Sequence, residues 1–188
     1  MHRREWGVTL VEVMIVLAVV MIVASVLLPV ISTRETSRRA TCQSNLAQLC
    51  RASLAYAQDY DERLPAPIVD GYGWDTAIDT FVLASGDFVC PSDPVGPLSY
   101  GANSGTTGAT SPWANRLTAV RSPATKILIG EYHDRMAGSG PTIAWPGVGT
   151  FDAHMGRAGS NYGFCDGHVE FRNRESVTQS SSAWNAAD

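Results

Sequence analysis

Three groups of residues in this 188-residue chain could do chemistry. Cys165 and His168 lie close in sequence, and with His133 and His154 they form a set of ligands that zinc accepts. A pair flanking a two-residue turn also arises whenever a hairpin sets those positions opposite each other, so no metal site is assigned from them. Asp59, Asp61, Asp70, Asp75, Asp87 and Asp93 offer oxygen to a hard cation. They do not form a spaced loop of the EF-hand kind, so no cofactor is assigned and calcium alone is left open. A Cys165–His168 nucleophile pair would sit on an exposed turn with no pocket to exclude water. With no GxSxG, HExxH or P-loop pattern present, the chain is read as no enzyme. The third group is a single residue, Glu12, which is the only charge in a long apolar run. A carboxylate in such surroundings needs a partner, and its role is functional by default.

The element that carries Glu12 is the run from Val8 to Ile31, VTLVEVMIVLAVVMIVASVLLPVI. It is apolar all round, so it is not the stripe of an amphipathic surface helix. About 20 such residues cross ~30 Å of hydrocarbon, so the run predicts a membrane-spanning helix. It is too long for the h-region of a cleaved secretory signal. Pro29 removes a backbone donor and predicts a kink near the far end. Arg3 and Arg4 precede the run and Arg34, Arg38 and Arg39 follow it, which leaves orientation undecided by charge. Over the whole chain, 14 Lys+Arg stand against 18 Asp+Glu, a net charge of −4, and 45% of residues are hydrophobic. That balance excludes wholesale disorder and gives no support for nucleic-acid binding through counterion release.

Gly7, the VTLVE that follows and the unbroken apolar stretch together resemble the prepilin signature of type IV pilins and type II secretion pseudopilins. The resemblance implies a leader, MHRREWG, cut after Gly7 by prepilin peptidase, with methylation of the new amine on Val8. Val8 departs from the usual Phe. In this family Glu12, the fifth mature residue, sets register during assembly by pairing with the Val8 amine of a neighbouring subunit. The implied partners are other pilin subunits, prepilin peptidase, an inner-membrane assembly platform and a cytoplasmic assembly ATPase. The implied location is the inner membrane, single-pass with the N-terminus cytoplasmic, and then a periplasmic or cell-surface filament. The alternative is a single-pass anchored extracytoplasmic domain that binds a metal or ligand and never polymerises.

Beyond the span, residues 33–61 continue as an amphipathic helix. Cys42, Leu46, Leu49, Ser53, Tyr56 and Tyr60 lie on one stripe, and Pro65 and Pro67 end it. The helix sequence from Cys42 to Pro65, the CPSD of Cys90–Asp93, the SYGAN of Ser99–Asn103 and the DGHV of Asp166–Val169 resemble a pilin-like family with a so-called H-X9-DG domain. Here eleven residues, not nine, separate His154 from Asp166. In the head, residues 75–83 predict a short helix, 101–112 a long loop and 126–129 a buried strand. Asp166-Gly167 predicts a two-residue type I′ turn. Pairing about that turn sets Phe164 opposite Val169 and Tyr162 opposite Phe171, on a face that packs on the long helix.

A small head needs staples, and four cysteines allow three connectivities. Position favours Cys42–Cys90, which leaves Cys50–Cys165 as the second pair, although Cys165 points away from the Phe164 face. The expected fold is α+β and pilin-like: a long N-terminal helix, half transmembrane and half amphipathic, packed on a small antiparallel sheet. Its divisions are a leader (1–7), a transmembrane helix (8–31), the amphipathic continuation (32–62), the head (63–177) and a loose tail (178–188).

Overall fold

The computed structural model describes residues 7–65, 68–69, 72–82, 85–93, 98–104, 112–132, 142–143, 154, 159–178 and 181–184. Leader residues 1–6, Asp70 and His133 lie outside the described residues, as does the side chain of Pro29. The chain divides into two compact units, residues 1–37 and 38–188. Helix α1 (Leu10–Asp59) starts in the first and ends in the second.

The first unit is built on the opening turns of α1, where Val, Ile, Leu and Met follow one another with no glycine or proline before Pro29. The expected transmembrane half is not found: among the described residues, no helix is long and apolar enough to cross a membrane. This overturns the transmembrane helix and the single-pass inner-membrane placement, and with them the anchored alternative.

In the second unit, α1 buries Cys42, Leu46, Leu49, Cys50, Ala52, Ser53 and Ala57, close to the predicted stripe. Ser53 is accommodated because its hydroxyl donates to the Leu49 carbonyl at 2.9 Å. Tyr60 departs from the stripe: it is exposed and stacks on Tyr56 with ring centroids 4.1 Å apart. Helix α1 ends at Asp59, before the prolines. Asp61 and Glu62 both take left-handed φ, 54° and 61°, and the Glu62 N–H donates back to the Ala57 carbonyl at 2.8 Å. Such a left-handed closure satisfies carbonyls that the helix end leaves open.

Strands β1 (Ile68–Val69) and β2 (Tyr72–Gly73) form a small antiparallel pair leading into α2 (Trp74–Ile78), which runs on into a 3₁₀ turn over Asp79–Phe81. Four further strands make the main sheet: β3 (Tyr100–Asn103), β4 (Ile127–Glu131), β6 (Gly159–Phe164) and β7 (Val169–Asn173), antiparallel in the order β3-β4-β6-β7. The two-residue β5 (Thr142–Ile143) pairs parallel on the outer side of β3, so the sheet is mixed at one edge. Strand β3 occupies the start of the stretch expected as a long loop; residues 105–111 lie outside the described ones.

Two cores result. One holds Leu46, Leu49, Cys42 and Cys90 with Tyr100, Ala102, Leu128 and Ile129, between α1 and the sheet. The other holds Ile127, Tyr162, Phe164, Val177, Ala183 and Trp184. Successive β6 residues face opposite sides, so the large aromatics turn away from α1, and the small Gly163 and Cys165 face it. That corrects the expected face, and the C-terminal segment covers the aromatics. Trp184, fully buried, donates its indole N–H to the Val177 carbonyl at 3.1 Å. The Lys126 ammonium donates to the Ser182 carbonyl at 2.6 Å. Residues 181–184 are therefore held in place and are not a loose tail.

The hairpin register also differs from the two-residue reading. Gly163 pairs with Val169, Tyr162 with Glu170 and Asn161 with Phe171. Phe164 donates its N–H to His168 O, and Gly167 donates its own to Phe164 O, each at 2.9 Å. Gly167 alone in this turn has positive φ, 91°. A type I′ turn needs positive φ at both central positions, whereas a three-residue loop needs one such residue after a type I turn. Residues 165–167 form that loop, and the pairing slips by one.

Candidate functional site

Two sites emerge, one at each end of the sequence reading. At the N-terminus, a Cβ built on Gly7 meets nothing within 4 Å, and Val8 is exposed. Thr9 precedes the first turn of α1. Its backbone N–H donates to Glu12 Oε2 at 2.8 Å, its hydroxyl lies 2.9 Å from the same oxygen, and the Glu12 N–H reaches back to Thr9 Oγ1 at 3.3 Å. This is a reciprocal capping box, Thr-x-x-Glu, which satisfies two donors that the helix start leaves open. Sequence reading singled out Glu12 and missed Thr9, although the motif is legible in the four residues TLVE. After cleavage at Gly7, Thr9 would remain as the second residue, so the box belongs to the processed chain as well.

Beyond the cap, thirteen large apolar side chains from Val8 to Val23 are between 46% and 75% exposed. They are distributed around the helix and not along one face. An apolar surface of this extent marks an interaction site.

The second site is buried. Cys42 on α1 and Cys90 form a disulfide, Cα–Cα 5.0 Å. Next to it lies Glu131, the last residue of β4, fully buried. Glu131 Oε2 accepts the Asn161 backbone N–H at 2.6 Å, and Oε1 accepts Asn161 Nδ2 at 2.8 Å. His154 Nε2 is 3.0 Å from Oε1, and Cys90 Sγ is 4.0 Å from it. The other imidazole nitrogen, Nδ1, is 3.3 Å from Ser92 Oγ. Around the disulfide, Tyr100 donates its hydroxyl to the Cys42 carbonyl at 3.2 Å, and Asn45 donates Nδ2 to the Val89 carbonyl at 3.0 Å. Burial first, then the Glu131 carboxylate, pushes the Tyr100 phenol above its ordinary range.

His154 is thus separated from the Asp-Gly with which it was grouped. It is fixed to Glu131 and Asn161 near the start of β6, whereas Asp166 and Gly167 make the turn after the end of that strand. At the turn, the Asp166 carboxylate accepts from the His168 backbone and meets its ring nitrogen, and the His168 ring stacks on Phe164 at 4.4 Å. Burial raises the Asp166 carboxyl, but the His168 hydrogen bonds outweigh it and hold the group below its usual range.

Cys165 and His168 do not converge on a ligand position; His168 is exposed and Cys165 buried. Cys50 and Cys165 are both free and buried, so the second expected pair is not bonded. Burial, and then the neighbouring thiol, raises Cys50; burial, and then Asp166, pushes Cys165 up to about 12. Neither is a reactive thiolate at neutral pH. Among the described residues, the one group of His, Cys and carboxylate atoms that could hold a metal is Cys42, Cys90, Glu131 and His154. Sequence reading named Cys42 and Cys90 only as a disulfide and His154 only among zinc-competent residues, and did not group them. Glu131 was missed, and its only signal is an acidic residue closing the apolar ILIG run.

Residues 3–28 match the family described as the prokaryotic N-terminal methylation motif. The matched segment contains Gly7, Val8, Thr9 and Glu12, so the chain carries an N-terminal methylation motif consistent with prepilin-type processing. No curated protein and no solved structure matches the chain.

Proposed function

We propose that the chain is a pilin-like subunit, cut after Gly7, methylated on Val8 and polymerised through α1 into a type IV pilus-like or pseudopilus filament. In this reading its work is assembly, with no reaction of its own. The observation that carries it is the methylation motif over residues 3–28. The exposed apolar surface from Val8 to Val23 supports it, because a helix apolar on every side needs cover on every side. The occupant is the same helix of neighbouring copies. Prepilin peptidase processes the chain, and an assembly platform with its ATPase adds it to the filament.

The capping box refines the part Glu12 plays. In the single chain its carboxylate already has Thr9 for a partner. Incorporation next to another subunit then exchanges the Thr9 donors for the methylated Val8 amine, a full positive charge, and a charge-assisted hydrogen bond is stronger than a neutral one. The test compares intact mass and N-terminal peptide from cells with and without prepilin peptidase, together with filament yield for Glu12→Ala. The expected product begins at N-methyl-Val8, and Glu12→Ala is cleaved normally but assembles poorly. A chain that still begins at Met1 beside an active peptidase refutes the processing. A normal filament yield from Glu12→Ala refutes the pairing.

A further inference from the structure

The second site holds more than a covalent staple. Every disulfide is preceded by its dithiol, and here two thiols would stand beside a buried carboxylate and a buried imidazole. The Cys42 and Cys90 sulfurs, a Glu131 oxygen and a His154 nitrogen all lie within 4.8 Å of one another, and all four residues are buried. A tetrahedral zinc ion with bonds of about 2.0–2.3 Å sets its ligand atoms about 3.3–3.8 Å apart. Opening the S–S bond brings the sulfurs into that range, and the His154–Glu131 contact at 3.0 Å is already near it.

The hydrogen bonds around His154 point the same way. Its Nε2 lies 3.0 Å from Glu131 Oε1 and 3.2 Å from Asn161 Nδ2. With the proton on Nδ1, directed at Ser92 Oγ, the lone pairs of Nε2 and Oε1 converge on one point, where a cation would be held by both. The surrounding groups are those that orient metal ligands: Ser92 accepting from the far nitrogen of His154, and the Asn161 N–H and amide donating to Glu131.

We propose that Cys42, Cys90, Glu131 and His154 form a zinc site in the reduced protein, and that the disulfide and the metal are alternative occupants of one centre. Binding converts two thiols to thiolates and releases two protons as Zn²⁺ enters. Oxidation by a small-molecule disulfide forms the Cys42–Cys90 bond and expels Zn²⁺. The oxidant takes two electrons from the two thiolates and two protons from water, and leaves as two thiols. All four ligands are buried, so the metal enters as the chain folds and supports the fold until oxidation supplies the permanent staple. This inference does not depend on filament assembly.

The test uses the full chain, reduced anaerobically with a phosphine, given one equivalent of Zn²⁺ or Co²⁺ and desalted. The reduced protein is expected to keep one metal per chain and the oxidised protein none. Cobalt should show the thiolate charge-transfer and tetrahedral ligand-field bands. Zn²⁺ should raise the Tm of the reduced chain in proportion to the logarithm of its free concentration and leave the oxidised Tm unchanged. Cys50→Ser/Cys165→Ser should retain the metal, and Cys90→Ser should lose about half of the charge-transfer intensity. His154→Gln should weaken binding at least tenfold, with its oxidised form showing by circular dichroism that the fold survives. The proposal is overturned if the reduced chain keeps no metal. It is overturned equally if Cys42→Ser/Cys90→Ser binds as wild type does, or if the oxidised chain binds as well as the reduced one.

Discussion

Helix α1 and the sheet approach closely where Gly163 of β6 faces Cys50. A Cβ on Gly163 would collide with Cys50 Sγ and would also stand 3.5 Å from Leu46 Cγ and 3.7 Å from the Ile129 carbonyl. Cys50 is fully buried, so its sulfur has no open space to swing into. The substitution Gly163→Ala therefore overpacks the core, at a cost near the upper end of the usual range, about 3 kcal/mol. Restricting the unfolded chain returns up to about 1 kcal/mol. The net loss is about 2 kcal/mol, or about 4–8 °C in Tm for a chain of this size. Cys50→Ala alone leaves a small cavity and costs about 1 kcal/mol. In the double variant, however, the new methyl occupies the space of the missing sulfur. Reversible urea melts of all four chains under oxidising conditions measure the coupling, expected near 2 kcal/mol and favourable. If the two losses simply add, or Gly163→Ala costs less than about 0.5 kcal/mol, Cys50 is not what limits the approach of helix to sheet.

Removing the disulfide through Cys42→Ala/Cys90→Ala frees a bond that spans 48 positions; the chain-entropy model gives a loss of about 4 kcal/mol, read by thermal melts with and without reductant. Cys50 and Cys165, buried and held protonated, should resist iodoacetamide at pH 8 in the native chain and should both react in urea; rapid native labelling would show that one of them is accessible. Asp166 has a folded pKa below its unfolded value, so its contribution is present above about pH 4 and is lost as pH falls through the folded value. Asp166→Asn should flatten the acid limb of a Tm–pH curve there, by only a few tenths of a kcal/mol because the pair is partly exposed.

How much of this was legible depended on whether the information was local. The lower half of α1 was readable because Cys42, Leu46 and Leu49 repeat at helical spacing, and that repeat is a property of the helix alone. Strand β4 was readable because a short apolar run between Pro123 and Gly130 has few alternatives. The hairpin was half readable. Asp-Gly marked the turn, but loop length depends on whether Asp166 or only Gly167 takes positive φ, and a one-residue error there changes every cross-strand partner. Which face of β6 meets α1 was not readable, because both faces are buried and the cover for one comes from Trp184, some twenty residues further on. The buried centre was not readable for the same reason. Cys42, Cys90, Glu131 and His154 are spread over more than a hundred residues, and nothing local marks them as neighbours.

The two glutamates differ in what surrounds them, and in the proposed filament that difference would decide which one pairs with a neighbouring subunit. Glu12 is exposed, and its partners come from Thr9, three residues away. Water competes for those bonds at all times, so replacing them with a neighbour's amine requires little of the rest of the chain. Glu131 accepts two bonds from Asn161 and meets His154 with no access to water. An isosteric Glu131→Gln puts an amide NH₂ against these donors and leaves at least one of them without an acceptor. Hydrogen bonds to a charged group are worth about 1.5–3 kcal/mol each, so the oxidised chain should lose about 3 kcal/mol. Glu12→Gln should leave its global stability unchanged and act only on assembly. Urea melts and filament yield on the two variants separate these effects. A Glu131→Gln chain as stable as wild type would mean that the buried hydrogen bonds are not what holds β4 to β6 at that end. A Glu12→Gln chain that melts early would mean that the N-terminal cap contributes to the folded core and is not reserved for a neighbouring subunit.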